Sequence, residues 1–225
     1  MDTALENRTT REAILEAAEA LFSENGFKAV TIREIARRAG ANVASISYYF
    51  QSKEGLLRSI YEEHCQSMND HRAALLAQAR RVADPRRRLR HILRAYVEPC
   101  VDASKGGGGA RFTRLRAVMS AEGNPQSREI IARTFDETSR AFIDSIAEIL
   151  PQLPRGTIVW RSHFLLGSLY YTLINPERVT RLSDGAVDGA DPEDSIRQLV
   201  AALAAALEAP AIDEAAGEPI MGGLT

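Results

Sequence analysis

Between Lys28 and Lys53 the chain gathers side chains suited to phosphates and base edges. Five are basic (Lys28, Arg33, Arg37, Arg38, Lys53) against one acid, Glu34, a local charge of +4 in a chain whose net charge is −2. Arginine presents a planar fork of N–H donors that matches a phosphate or the paired acceptors of guanine. The same stretch holds Val43, Ala44, Ser45, Ser47, Tyr48 and Tyr49, a set of small residues, hydroxyls and rings without a carboxylate for phosphates to repel. A helical hairpin with a solvated basic face is the plainer account of such a run. Arg37 and Arg38 fit that account as surface residues, and Tyr49 could equally pack inward.

Catalytic chemistries find little support. Lys105 precedes the glycines 106–109, so the GxxxxGK[ST] order of a phosphate-cradling loop is missing and the run reads as a slack connection. Neither GxSxG nor HExxH occurs, and no enzyme is expected. His64, Met68 and His71 share a helix face, but no third strong ligand stands at metal spacing, so neither metal nor other cofactor is expected. Six arginines around Pro85 (Arg80, Arg81, Arg86, Arg87, Arg88, Arg90) resemble a nucleic-acid patch. They follow roughly 45 Å of helix beyond the first basic segment, and a solvated turn describes them better.

Arg116 shares a stripe with Phe112, Leu115 and Met119. A cation on an apolar face needs a partner: an anionic ligand group, an internal acid, or water reached by snorkelling. Trp160, His163 and Phe164 recur at helical spacing, and His64, Met68, Tyr96, Phe135, Phe142 and Tyr171 could add walls to the same cavity. Each could also be plain core.

Positioning these groups falls to helices. Apolar residues repeat at helical spacing almost throughout, without strand alternation, which predicts an all-α protein of about nine helices. The first runs from about Arg11 to Asn25 and stops at Gly26. The second opens at Thr31, with Glu34 three residues on as a capping box, and ends at Gly40. The third starts at Asn42, and Ser52 caps a long helix reaching Val82. Asp84-Pro85 opens the next. Further helices are expected over 110–121, 127–150 and 156–174, the last apolar nearly all round and so buried on several sides. Residues 176–191 read as a loop before a final helix bearing Ile196, Leu199, Val200, Leu203 and Leu207. The expected units are 1–51, 52–209 and a disordered acidic tail, 210–225.

The 225 residues suffice for a sizeable core, and 45% hydrophobic with 26% charged residues is an ordinary soluble balance. No apolar run approaches a membrane span of about eighteen residues, and residues 1–6 lack the pattern of a signal peptide. Cys65 and Cys100 do not suggest a disulfide framework. A cytoplasmic protein without a membrane partner is expected.

Two short helices joined at Gly40 form a helix-turn-helix. The run Thr31-Ile-Arg-Glu-Ile-Ala-Arg-Arg-Ala-Gly40, then Asn42-Val-Ala-Ser-Ile-Ser-Tyr-Tyr-Phe50, then Ser52-Lys-Glu-Gly-Leu56 resembles the TetR family of repressors over about residues 9–60. The resemblance implies a homodimer with an N-terminal three-helix DNA-binding domain and a helical body that binds an effector and dimerises. By matching positions, Arg33 would reach a base edge, Thr31 and Lys53 would hold phosphates, and Tyr48 and Tyr49 would touch phosphate or thymine methyl. Family members often carry larger polar residues where Val43 and Ser47 stand, which shifts direct readout to Arg33, Ser45 and the tyrosines. Residues 159–169 resemble a branch of the family some of whose members answer to fatty acids. The resemblance further implies a four-helix dimer seam, expected at Gly167, Tyr170, Leu199 and Leu203. The partners implied are a double-stranded DNA operator, a hydrophobic or anionic amphipathic effector and a second copy of the chain, with repression or activation both open. An architectural DNA-binding protein without small-molecule input is the alternative.

Overall fold

The computed structural model describes residues 9–101, 109–123 and 125–211, and these form helices and turns with no strand among them. α1 (Thr10–Asn25) begins at a reciprocal cap, in which Thr9 Oγ1 accepts from the Glu12 N–H at 3.3 Å and Glu12 accepts from the Thr9 N–H at 3.0 Å. α2 (Ile32–Ala39) repeats the device with Thr31 and Glu34, and Gly40 closes it at φ 63°, a left-handed turn that strains any residue with a Cβ. Asn42 caps α3 (Val43–Phe50) and Ser52 caps α4 (Lys53–Ala79), the residues their sequence assigns to those positions.

α4 stops three residues short of the expected Val82. Residues 80–82 tighten into a turn, with the Arg81 and Val82 N–H groups donating to the carbonyls of Gln78 and Ala79. Asp84 then caps α5 (Pro85–Val101), accepting from the Arg87 N–H at 2.7 Å. α6 (Gly109–Ala121), α7 (Pro125–Ile149) and α8 (Arg155–Ile174) follow close to their expected ranges.

Residues 176–191 are not the plain loop expected. They contain α9 (Pro176–Leu182), so that with the final α10 (Pro192–Glu208) the described residues hold ten helices rather than about nine. α9 buries none of its residues, so it has no apolar stripe for periodicity to register. The acidic tail, from residue 212, and all of the glycine run except Gly109 lie outside the described residues.

α1 packs on α2, α3, α4 and α6, while α4 continues onto α5 and α7, so α4 touches α1 and α3 as well as the body. α10 packs on α5 and α8. One connected core runs from Ile14 in α1 to Leu207 in α10. No helix among the described residues is long and apolar enough to cross a membrane.

Within the protomer, α8 is not buried on several sides as expected. Only Ile158, Leu165 and Leu169 are buried, while Val159, Trp160, Phe164 and Tyr171 stand in solvent, Trp160 63% and Phe164 59% exposed. α8 packs on α6, α7 and α10. Its other apolar side is a surface of the protomer.

Candidate nucleic-acid interface and effector pocket

The helix-turn-helix holds α3 by Ile46 and Phe50, buried on one face four residues apart. Its other face is open: Tyr48 is 81% exposed, Val43 and Tyr49 less so, and Ala44 and Ser47 lie between them. The Tyr48 and Tyr49 rings meet edge to face at 5.0 Å, which stiffens the pair. Val43 is therefore on the open face rather than in the core.

Two hydroxyls assigned to recognition are already engaged. Asn42 Oδ1 accepts from both the N–H and the hydroxyl of Ser45, at 2.7 and 2.9 Å. The Thr31 hydroxyl donates to Glu34 at 2.7 Å. Each oxygen keeps lone pairs with which to accept a further bond, but neither has its proton to give. The bonds from Thr31, side chain first and then backbone, hold the Glu34 carboxyl below its ordinary range. Arg33 is exposed on α2, whereas Arg38 is forked onto Glu24 at 3.0 and 3.4 Å, a surface pair as expected.

Lys53, expected to hold a phosphate, is also engaged within the protomer. Its ammonium donates to the carbonyls of Phe27 and Val30, at 2.8 and 2.9 Å, and lies 4.3 Å from the Phe27 ring centroid. Two of three donors are spent on tying α4 to the turn between α1 and α2. One donor remains for a phosphate.

In the body, a pocket of about 290 Å³ opens between α5, α7 and α8. Leu93, Phe142, Ile146, Leu165 and Leu166 make its apolar walls, while Tyr96, Ser139, Ser162 and His163 supply polar edges. The Tyr96 ring meets Phe142 edge to face at 5.0 Å, and its hydroxyl lies 3.4 Å from Ser139 Oγ. The structure thus brings together Tyr96, Phe142 and His163 of the expected cavity residues. Trp160 and Phe164 are not there, because α8 turns them outward.

The remaining expected residues form a second group deeper in the core. Met68, Phe112, Arg116, Met119 and Phe135 are all buried, with the Arg116 guanidinium 3.6 Å from the Phe135 ring centroid. His64 lies at its edge, 3.1 Å from Glu19 and 4.8 Å from the Phe112 ring. Sequence reasoning missed Arg72, which is fully buried beside this group. The signal was present, since Tyr61, Cys65, Met68, Arg72, Leu76 and Ala79 follow one helix face at steps of three and four.

Of the expected seam residues, Gly167 lies on the open face of α8, with nothing within 4 Å of a Cβ built there. Leu199 and Leu203 are turned into the protomer and buried, and the Tyr170 ring centroid lies 5.8 Å from the Arg116 guanidinium. What α10 leaves outside is a stripe of small residues, Ala201, Ala202, Ala205 and Ala206.

An all-helical body carrying a capped helix-turn-helix with an open second helix defines a DNA-binding regulator. Family models match at both ends: "Bacterial regulatory proteins, tetR family" over residues 14–60 and "Tetracyclin repressor-like, C-terminal domain" over 94–206. The chain belongs to the TetR family of transcriptional regulators. It is 46% identical over 55 residues to the probable regulator YttP of Bacillus subtilis, covering 24% of this chain and 27% of that one. It is 35% identical over 120 residues to the regulator BetI of Yersinia pestis, covering 52% and 56%. The matches thus span about a quarter and about half of those relatives' own length. A transcriptional regulator from Saccharomonospora viridis, solved in complex with choline, superposes with a TM-score of 0.58 at 20% identity, over 84% of this chain and 92% of that one. That likeness concerns the fold.

Proposed function

We propose that the protein is a dimeric repressor that binds a near-palindromic operator and leaves it when a small apolar or anionic amphipathic molecule occupies the body. The observation that carries this is the open face of α3 on a chain whose core continues without interruption from α1 to the pocket-forming helices. In a dimer, two such faces would enter successive major grooves about 34–36 Å apart. Arg33 would read a base edge, Tyr48, Tyr49, Val43, Ala44 and Ser47 would lie along the groove, and Ser45 and Thr31 would accept rather than donate. Lys53 would position the domain and lend its third donor to a phosphate.

The second copy would cover the exposed stripe of α8, with Gly167 admitting close approach and the alanines of α10 beside it. An effector that binds better to a conformation with the wrong spacing draws the population off DNA. A coupling of about 1–3 kcal/mol changes operator affinity by roughly 5- to 150-fold. The molecule would act in the cytoplasm, with no catalytic step.

The test is binding of full-length protein to DNA from upstream of its own gene, followed by fluorescence anisotropy across a salt series. Tight, salt-sensitive binding that survives competitor DNA is expected. No binding at any salt would sink the proposal. Binding that no apolar small molecule weakens would leave an architectural DNA-binding protein instead.

A further inference from the structure

Arg72 and Arg116 are the largest side chains fully withdrawn from solvent, 0% and 1% exposed. Both approach one ring, their guanidinium carbons 5.8 and 3.6 Å from the Phe135 centroid. Arg72 also lies 4.1 Å from the Tyr96 ring centroid and donates to the Tyr96 carbonyl at 3.2 and 3.1 Å and to Cys100 Sγ at 2.8 Å. Arg116 has a weak contact to Met68 Sδ at 3.9 Å. Arg72 Nη1, Arg116 Nε, Tyr61 Oη and Thr113 Oγ1 are buried without a hydrogen-bond partner.

No counter-charge accompanies the two cations among the described residues. The buried carboxylates there are Glu19, 3.1 Å from His64, and Glu98, 2.8 Å from Arg94. Burial pushes the Cys65 thiol up to about 12 and raises the phenols of Tyr61 and Tyr170, so all three stay neutral. Aromatic faces offset part of the cost of a buried guanidinium. They do not replace an anion, and unpaired buried charge is strongly unfavourable.

We propose, building on the effector-released repressor above, that Arg72 and Arg116 together hold the oxyanion head of an amphipathic effector. Its apolar part lies in the α5–α7–α8 pocket. Tyr96 is common to both, lining that pocket and holding the Arg72 guanidinium 4.1 Å from its ring centroid. Displacement of the Tyr96 ring would open that pocket toward the Arg72 guanidinium. A carboxylate suits the head, since it accepts from guanidinium forks at two oxygens. The same head places charge on α4 and α6, the two body helices that pack against α1.

The experiment measures thermal shift and calorimetric affinity of the full-length wild type, Arg72→Met and Arg116→Met. The probes are octanoate, decanoate and phenylpropionate, their matched primary alcohols, and inorganic phosphate. Carboxylates should bind the wild type roughly ten- to a hundredfold more tightly than the alcohols, the scale of a charge-assisted hydrogen bond, and each variant should lose that margin. Because each variant removes an unpaired buried charge, its melting temperature without probe should hold or rise. Alcohols binding as well as acids would overturn the assignment, as would a wild type that no carboxylate moves. A variant that melts well below the wild type would show a structural cation and overturn it too. Phosphate matching the carboxylates would assign the site to a free anion and remove the amphiphile. Wild-type operator binding, measured on the same preparation, tells failure of this inference from failure of the repressor proposal.

Discussion

The main-chain N–H of Lys28 donates to the carboxylate of Glu122 at 3.3 Å, and the Lys28 ammonium donates to the Glu122 carbonyl at 3.2 Å. These bonds join the turn after α1 to the end of α6 across 94 residues of sequence. Gly26 makes the approach possible. Its φ of 83° and ψ of 163° belong to a region essentially reserved for glycine, and a Cβ there would stand 2.1 Å from Glu122 Oε1.

Gly26→Ala should therefore cost about 1–3 kcal/mol in urea unfolding. Adding Glu122→Ala removes the collision but leaves the backbone strain, so the double variant should recover only part of the loss. A Gly26→Ala protein as stable as the wild type would contradict this account of the junction.

Lys53 and Arg33 should separate cleanly. Lys53→Met leaves two carbonyls without their donor and should cost about 1–3 kcal/mol of stability. Its operator binding should weaken alike for all sequences, with the salt slope reduced by about one, because its third donor serves a phosphate. Arg33→Ala should leave stability alone and relax discrimination at one base pair by about 1–3 kcal/mol. Unfolding curves and anisotropy over a salt series read both. An unchanged slope in Lys53→Met would leave it a positioning residue without a phosphate contact.

The cap of α2 carries a pH dependence. Glu34 has a folded-state pKa below its ordinary 4.5, chiefly from the Thr31 hydroxyl bond and then from the Thr31 N–H. Its contribution is therefore complete above 4.5 and is lost as pH falls through the depressed folded value. Titration of the Glu34 carboxyl by NMR should show Thr31→Val moving it back up toward 4.5. An unmoved titration would mean that the cap does not set it.

The open side of α8 should be the dimer contact. Trp160→Glu or Phe164→Glu should raise the dimer dissociation constant by about thirtyfold or more, the scale of a buried aromatic anchor. Operator affinity should fall with it, because the half-sites would no longer be linked. Sedimentation of an unaltered dimer would assign the stripe to something else.

What could be seen in advance was whatever short-range chemistry specifies. Thr31 with Glu34, Gly40, Asn42 and Ser52 each act within three or four residues, and the caps they predict are the caps observed. The all-helical class followed from the same local periodicity. α9 escaped because seven residues with none buried leave no stripe to detect.

By itself the sequence determined an all-helical chain with a capped helix-turn-helix and α3 as its open second helix, because caps, turns and apolar spacing are local properties that survive without tertiary context. The family followed from the resemblance carried by residues 31–56. Only the tertiary structure decided the direction of each side chain in the body. A helix apolar all round, such as α8, satisfies periodicity whichever side it buries, and the packing of α6, α7 and α10 made Trp160 and Phe164 surface rather than cavity. Long flexible cations are undecided for the same reason. Lys53 could reach a phosphate or a carbonyl, and Arg72 water or the core, until the neighbours that meet their charge are in place.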